Sequence, residues 1–70
     1  MDMQPLESSN IQEVGYDPDT LTLRVRFKSG ATYDYAGVPP ETHQEFMRAD
    51  SPGRHHAQFI KGIHDHSRVE

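Results

Sequence analysis

From Leu21 to Phe27 the chain reads Leu-Thr-Leu-Arg-Val-Arg-Phe, with apolar and polar residues in strict alternation. A period of two places successive side chains on opposite faces of an extended strand and cannot build a one-sided helix. The stretch therefore predicts a half-buried β-strand. Lys28-Ser29-Gly30 follows, and Thr32-Tyr33-Asp34-Tyr35 alternates again. Ser-Gly suits a two-residue hairpin turn poorly. A three-residue loop with Gly30 last, in the left-handed conformation, fits better. That loop sets Phe27 opposite Ala31, Val25 opposite Tyr33 and Leu23 opposite Tyr35. Upstream, Asp17-Pro18-Asp19-Thr20 suits a type I turn, with Val14 and Tyr16 on the strand before it. A four-residue loop there sets Tyr16 opposite Leu21 and Val14 opposite Leu23. The outer face then reads Glu13, Arg24, Asp34, with Arg24 between two carboxylates.

After Val38 the period changes. Pro39-Pro40 suits the start of a helix, where a missing N–H costs little. His43, Phe46 and Met47 follow at helical spacing, and this helix should end near Ala49. Ser51-Pro52-Gly53 reads as a second helix start, with Ser51 as N-cap and proline at the first helical position. His56, Phe59, Ile60 and Ile63 form its apolar stripe, and Gly62 is a plausible end. Residues 1–9 read as a mobile tail and 64–70 as a polar tail, leaving one domain over 10–63. The expected fold class is α+β: a three-stranded antiparallel β-meander followed by two short α-helices packed on one sheet face.

Seventy residues allow one small core, with roughly 60% of the unfolded surface buried. No cysteine is present, which excludes disulfide scaffolds and cysteine zinc sites and favours a cytoplasmic setting. No apolar run approaches the roughly 20 residues that cross a bilayer. Met1 to Glu7 has neither a basic segment nor an apolar core, so no signal peptide is expected. The formal charge is −4, which does not mark a strongly basic nucleic-acid binder. All five histidines lie beyond residue 40, so the second part turns cationic if they protonate near their ordinary pKa.

Several segments together resemble the KTSC domain. They are Ser8-Ser9-Asn10-Ile11, Val14-Gly15-Tyr16-Asp17, Leu21, Val25-x-Phe27-x-x-Gly30, Tyr33-Asp34-Tyr35, Val38-Pro39, and Ser51-x-Gly53 with Phe59-Ile60. The resemblance spans about residues 8–64. The domain is named for its occurrence at the C-terminus of some lysyl-tRNA synthetases, and it also stands alone in bacterial and phage proteins. It implies no defined activity. The synthetase context suggests RNA binding. Histidines stand at 43, 55, 56 and 64, where relatives are expected to carry aromatics, and Ala57 stands in place of an expected asparagine.

The segment Ser51, Gly53, Arg54 and His55, with Lys61, is the leading candidate for binding a ligand anion. A helix N-terminus presents unpaired N–H groups and a positive dipole end, and Gly53 removes an obstructing side chain. Arg24, Arg26 and Lys28 are secondary candidates for nucleic-acid contact, against the reading of a solvated strand with carboxylate partners. Tyr33 and Tyr35 could stack bases, but the register points them into the core. His56, on the apolar stripe, is expected to be partly buried and hydrogen-bonded. If it is buried neutral, protonation as pH falls through about 6 should destabilise the fold. The histidine spacing supplies no metal-ligand set, and no nucleophile–base pair is implied. A non-enzymatic binding module without cofactor or metal is therefore expected. It would be a monomer without membrane association, and the resemblance implies RNA as its partner. The alternative is a small protein-interaction adaptor or regulator acting on a bacterial or phage translation or transcription machine.

Overall fold

A computed structural model of the chain describes residues 2–60 and 64–69, with the backbone alone at 58 and 59. The elements run β1 (Met3–Pro5), β2 (Ile11–Asp17), β3 (Thr22–Phe27), β4 (Thr32–Tyr35), α1 (Pro40–Arg48), α2 (Pro52–Phe59) and β5 (His66–Arg68). The strands form one antiparallel sheet in the order β1-β2-β3-β4-β5. The class is α+β, as the alternation and the change of period predict. The sheet has five strands among the described residues where three were expected. The two further strands lie in the segments expected as tails, with Gln4 opposite Val14 and Ser67 opposite Asp34. Each is three residues long. So short a run shows no periodicity of its own, and only the ready-made edges of β2 and β4 organise it.

The second hairpin has the expected register. Leu23 faces Tyr35 and Val25 faces Tyr33, and the Phe27 N–H donates to the Ala31 carbonyl at 2.9 Å. Gly30 closes the loop with φ +101°, a conformation that glycine adopts freely. The first hairpin departs from expectation. Tyr16 faces Leu23 and Val14 faces Val25, because Asp17 pairs with Thr22 and the loop runs from Pro18 to Leu21. The Asp17 carboxylate accepts the Asp19 N–H at 3.0 Å from inside the strand, and Leu21 takes φ 55° to complete the turn. The register moves by two residues, so each side chain keeps its face while its partner changes. On the outer face Arg24 pairs with Asp34 through two hydrogen bonds of 2.7 and 3.0 Å, while the register sets Glu13 opposite Arg26. Glu13 accepts from Arg26 at 2.7 Å instead.

A bulge between Ile11 and Glu13 resolves a conflict in the sequence pattern. Ile11 and Val14 are three apart, which simple alternation would send to opposite faces. One extra residue in β2 lets both point into the core. The core comprises Ile11, Val14, Leu23, Val25, Tyr35, Val38, Phe46 and Ile60, with Leu6, Tyr16, Phe27, Tyr33 and Met47 packed around it. Both helices begin where proline predicted. Ala49 is the C-cap of α1, as expected. Ser51 is the N-cap of α2, but its side chain makes no capping hydrogen bond, and only its carbonyl enters the helix, accepting the His55 N–H at 3.0 Å. Gly62, expected as the end of α2, and Ile63 lie outside the described residues, as does the Phe59 side chain.

Candidate functional site

Between α2 and the β4–β5 edge lies an open cleft of about 270 Å³, lined by Asn10, Phe27, Tyr33, Tyr35, His56, Ala57 and His66. Five of these carry rings, and the rings meet at angles. Phe27 lies edge-on to Tyr33 at 6.1 Å and to His56 at 5.3 Å between centroids. His66 stands 5.7 Å from Tyr33 and 5.8 Å from Tyr35. The local cause is the sheet pairing. Tyr33 and Tyr35 occupy alternate positions on the helix-side face, and β5 places His66 directly opposite Tyr35 on that same face.

At the floor of the cleft Tyr35 is 3% exposed and His56 is 5% exposed. Tyr35 Oη and His56 Nε2 lie 2.7 Å apart. The tyrosine hydroxyl can donate or accept, so the bond persists whichever ring nitrogen carries the proton. Burial raises the Tyr35 pKa above the ordinary phenol value, with Tyr33 adding to the shift, so the hydroxyl keeps its proton at neutral pH. The expectation that His56 is buried and hydrogen-bonded holds. So does the inward direction of the two tyrosines, though Tyr33 is half-buried and forms part of the cleft wall.

Asn10 forms the polar wall. Its backbone N–H and the Ile11 N–H face the Ser8 hydroxyl oxygen at 3.4 and 3.3 Å, and its carbonyl accepts the Lys28 N–H at 2.9 Å. Its side-chain Oδ1 accepts the Ser8 hydroxyl at 3.1 Å. The amide rests against the first turn of α2, where a Cβ on residue 53 would stand 2.5 Å from Asn10 Oδ1. Gly53 therefore makes room for Asn10. The first turn of α2 thus adjoins the cleft, and Asn10 joins the two.

The anion-binding candidates distribute as follows. Ser51 and Arg54 are exposed at the start of α2, Gly53 lies beneath Asn10, and His55 turns toward α1, edge-on to Phe46 at 5.9 Å. Lys61 lies outside the described residues. Arg24 and Arg26 lie on the opposite face of the sheet from the cleft, each in an ion pair, and Lys28 is exposed in the β3–β4 loop. The cleft itself was not legible as a site. Its tyrosines read as core, and Asn10 and His66 read as a domain edge and a tail. The Ser8-Ser9-Asn10 stretch and the His66-x-Arg68 alternation were the available signals. A second cleft, between α1 and the β1–β2 pair, is lined in part by Tyr16 and His43, whose rings stack at 4.4 Å. Among the described residues no group of three or more His, Asp or Glu gathers where a metal could be held, and no helix is long and apolar enough to cross a membrane.

The sequence profile of the KTSC domain matches residues 7–64. The chain belongs to the KTSC domain family. An uncharacterized protein of Stutzerimonas stutzeri (strain A1501) is 49% identical over 59 residues, covering 84% of this chain and 83% of its own length. A lysine--tRNA ligase of Nostoc punctiforme is 41% identical over 56 residues, which are 80% of this chain and 10% of the ligase. The crystal structure of a KTSC domain protein from Yersinia pestis superimposes with a TM-score of 0.93 at 43% identity, covering 99% of this chain and 97% of that one. The KTSC domain thus occurs both in chains of about this size and as a small part of a much larger ligase.

Proposed function

We propose that this KTSC domain is a non-enzymatic accessory module that binds single-stranded RNA. The observation that carries the reading is the ring-lined cleft beside the start of α2. RNA is recognised mostly where bases are unpaired and can stack on aromatic side chains. Stacking on a protein ring is worth about 1–3 kcal/mol per base. In this reading one base enters between Tyr33, Phe27 and His66. The adjoining phosphate meets Ser51 and Arg54 at the first turn of α2, where backbone N–H groups and the helix dipole favour an anion. Arg24, Arg26 and Lys28, on the opposite face and in the β3–β4 loop, contribute only to the general field. The attachment of related domains to lysine–tRNA ligases supports an RNA partner. The net charge of −4 favours a local contact over an extended phosphate track.

The test is fluorescence polarisation with short single-stranded and duplex RNA at low and high salt. Single-stranded binding that weakens with salt is expected. Tyr33→Leu should keep the apolar packing and weaken binding about 5-fold or more. Equal loss from Tyr33→Leu and from a distant change such as Glu45→Gln would refute the cleft as the site. Capture from a bacterial lysate, with and without RNase, separates this reading from an adaptor, whose protein partner would survive the nuclease.

A further inference from the structure

The RNA reading leaves open which base the cleft takes. Asn10 stands at the cleft wall with its backbone N–H, carbonyl and side-chain Oδ1 all engaged, and with the start of α2 directly behind it. An amide held by the Ser8 hydroxyl and backed by Gly53, on a backbone bonded at both its N–H and its carbonyl, is positioned at the edge of the ring-lined cleft to read the edge of a flat ligand. Its carbonyl oxygen has a second lone pair beyond the one that Ser8 uses, and its NH₂ carries two donors.

We propose that Asn10 is a specificity-determining residue and that the cleft favours adenine, an inference that rests on RNA binding at this site. A primary amide presents a donor and an acceptor side by side. Adenine presents the complementary pair, N6–H with N7, and asparagine reads it with two hydrogen bonds. The rest of the lining supports the same choice. Rings from Phe27, Tyr33 and His66 supply stacking surface, and the buried Tyr35 hydroxyl is already bonded to His56. A purine offers these rings the larger stacking surface, and on the edge that carries N7 guanine presents two acceptors, O6 and N7, where adenine presents a donor and an acceptor. The cleft, at about 270 Å³, is smaller than the roughly 300–1,000 Å³ that encloses a drug-sized ligand, so it suits one ring system and not a whole dinucleotide.

The experiment compares polarisation of labelled oligo(rA), oligo(rC) and oligo(rU), each roughly eight nucleotides long, with wild type, Asn10→Asp and Asn10→Ala. Asn10→Asp keeps the oxygen that accepts from Ser8 and removes the NH₂ donors, so the fold is retained. Circular dichroism of each variant checks this. The readout is the ratio of affinities, which cancels the general effect of an added negative charge. Wild type should bind oligo(rA) about 5-fold or more tighter than the other two. In both variants the ratio should fall toward one. Equal affinity of wild type for all three, lost in Tyr33→Leu, would overturn the adenine assignment and leave the RNA reading standing. A preference for oligo(rA) that survives both Asn10 variants would overturn the role of Asn10. Absence of binding to any of the three would overturn both.

Discussion

Replacing Tyr35 with phenylalanine removes one oxygen and leaves the ring in place. The ring contacts with His56 and His66, at 5.1 and 5.8 Å between centroids, remain available. What disappears is the partner that sits 2.7 Å from His56 Nε2. Both residues are almost wholly buried, so the vacated hydroxyl position leaves little room for a replacing water. A buried polar atom stripped of its partner costs about 1–3 kcal/mol, more than the net value of an ordinary hydrogen bond. In a domain of this length each kcal/mol moves the melting temperature by roughly 4–8 °C. Tyr35→Phe should therefore melt roughly 4–24 °C lower than wild type. Thermal and urea unfolding followed by circular dichroism read the change, and an unaltered urea m-value assigns it to the folded state. Adding His56→Leu to Tyr35→Phe should cost less than adding it to wild type, since the second change then removes a partner already stranded. The coupling should lie at about 0.5–3 kcal/mol. A Tyr35→Phe protein that melts within about 2 °C of wild type, with additive double-variant behaviour, would refute the claim that this bond supports the cleft floor.

Three further outcomes follow from local geometry. Alanine normally favours a helix over glycine by about 0.5–1 kcal/mol, but at Gly53 the added methyl meets Asn10, so Gly53→Ala should stabilise only in an Asn10→Ala background; equal urea midpoint shifts in both backgrounds would show that the contact carries no weight. Burial holds the His43 pKa below the ordinary histidine value, so the unfolded chain takes up this proton first. Stability from this group is complete above about pH 6.5 and is lost as pH falls through the lower folded value. Urea midpoints should drop between about pH 7.5 and 5.5, and drop less in His43→Phe; an equal drop in both proteins excludes His43 as the source. Leu21 holds φ 55° at 37% exposure, a left-handed conformation that costs an L-residue about 1–2 kcal/mol. Leu21→Asn should relieve part of this and raise stability by up to about 1 kcal/mol, and a lowered midpoint would mean that the leucine side chain contributes more than the backbone strain costs.

Alternation made β3 and β4 legible, and turn chemistry at Lys28-Ser29-Gly30 gave their register, because glycine there suits one loop above the others. The first hairpin was harder to read. Four loop residues could start at Asp17 or Pro18, and both choices send the same side chains inward. Hydrophobic pattern cannot separate registers that differ by two, so the partner of Glu13 was misassigned to Arg24. The bulge after Ile11 escaped for a related reason, since its only trace is an apolar spacing of three inside a strand. Of the candidate site, the sequence located the start of α2 and the burial of His56. It did not reveal that Gly53 makes room for Asn10, which lies forty-three positions earlier in the chain.

The residues of this protein by themselves determine which side chains face inward, where each helix begins and which loop requires glycine. These are consequences of period, proline and backbone stereochemistry, and each operates over a few neighbouring residues. Only the tertiary structure decides that β1 and β5 join the sheet, since three-residue strands exist by virtue of the edges they pair with. It alone brings Asn10, Phe27, Tyr33, Tyr35, His56 and His66 around one cleft. Those six come from the β1–β2 loop, three strands and a helix, and a site assembled across such separations is a property of packing that no local pattern records.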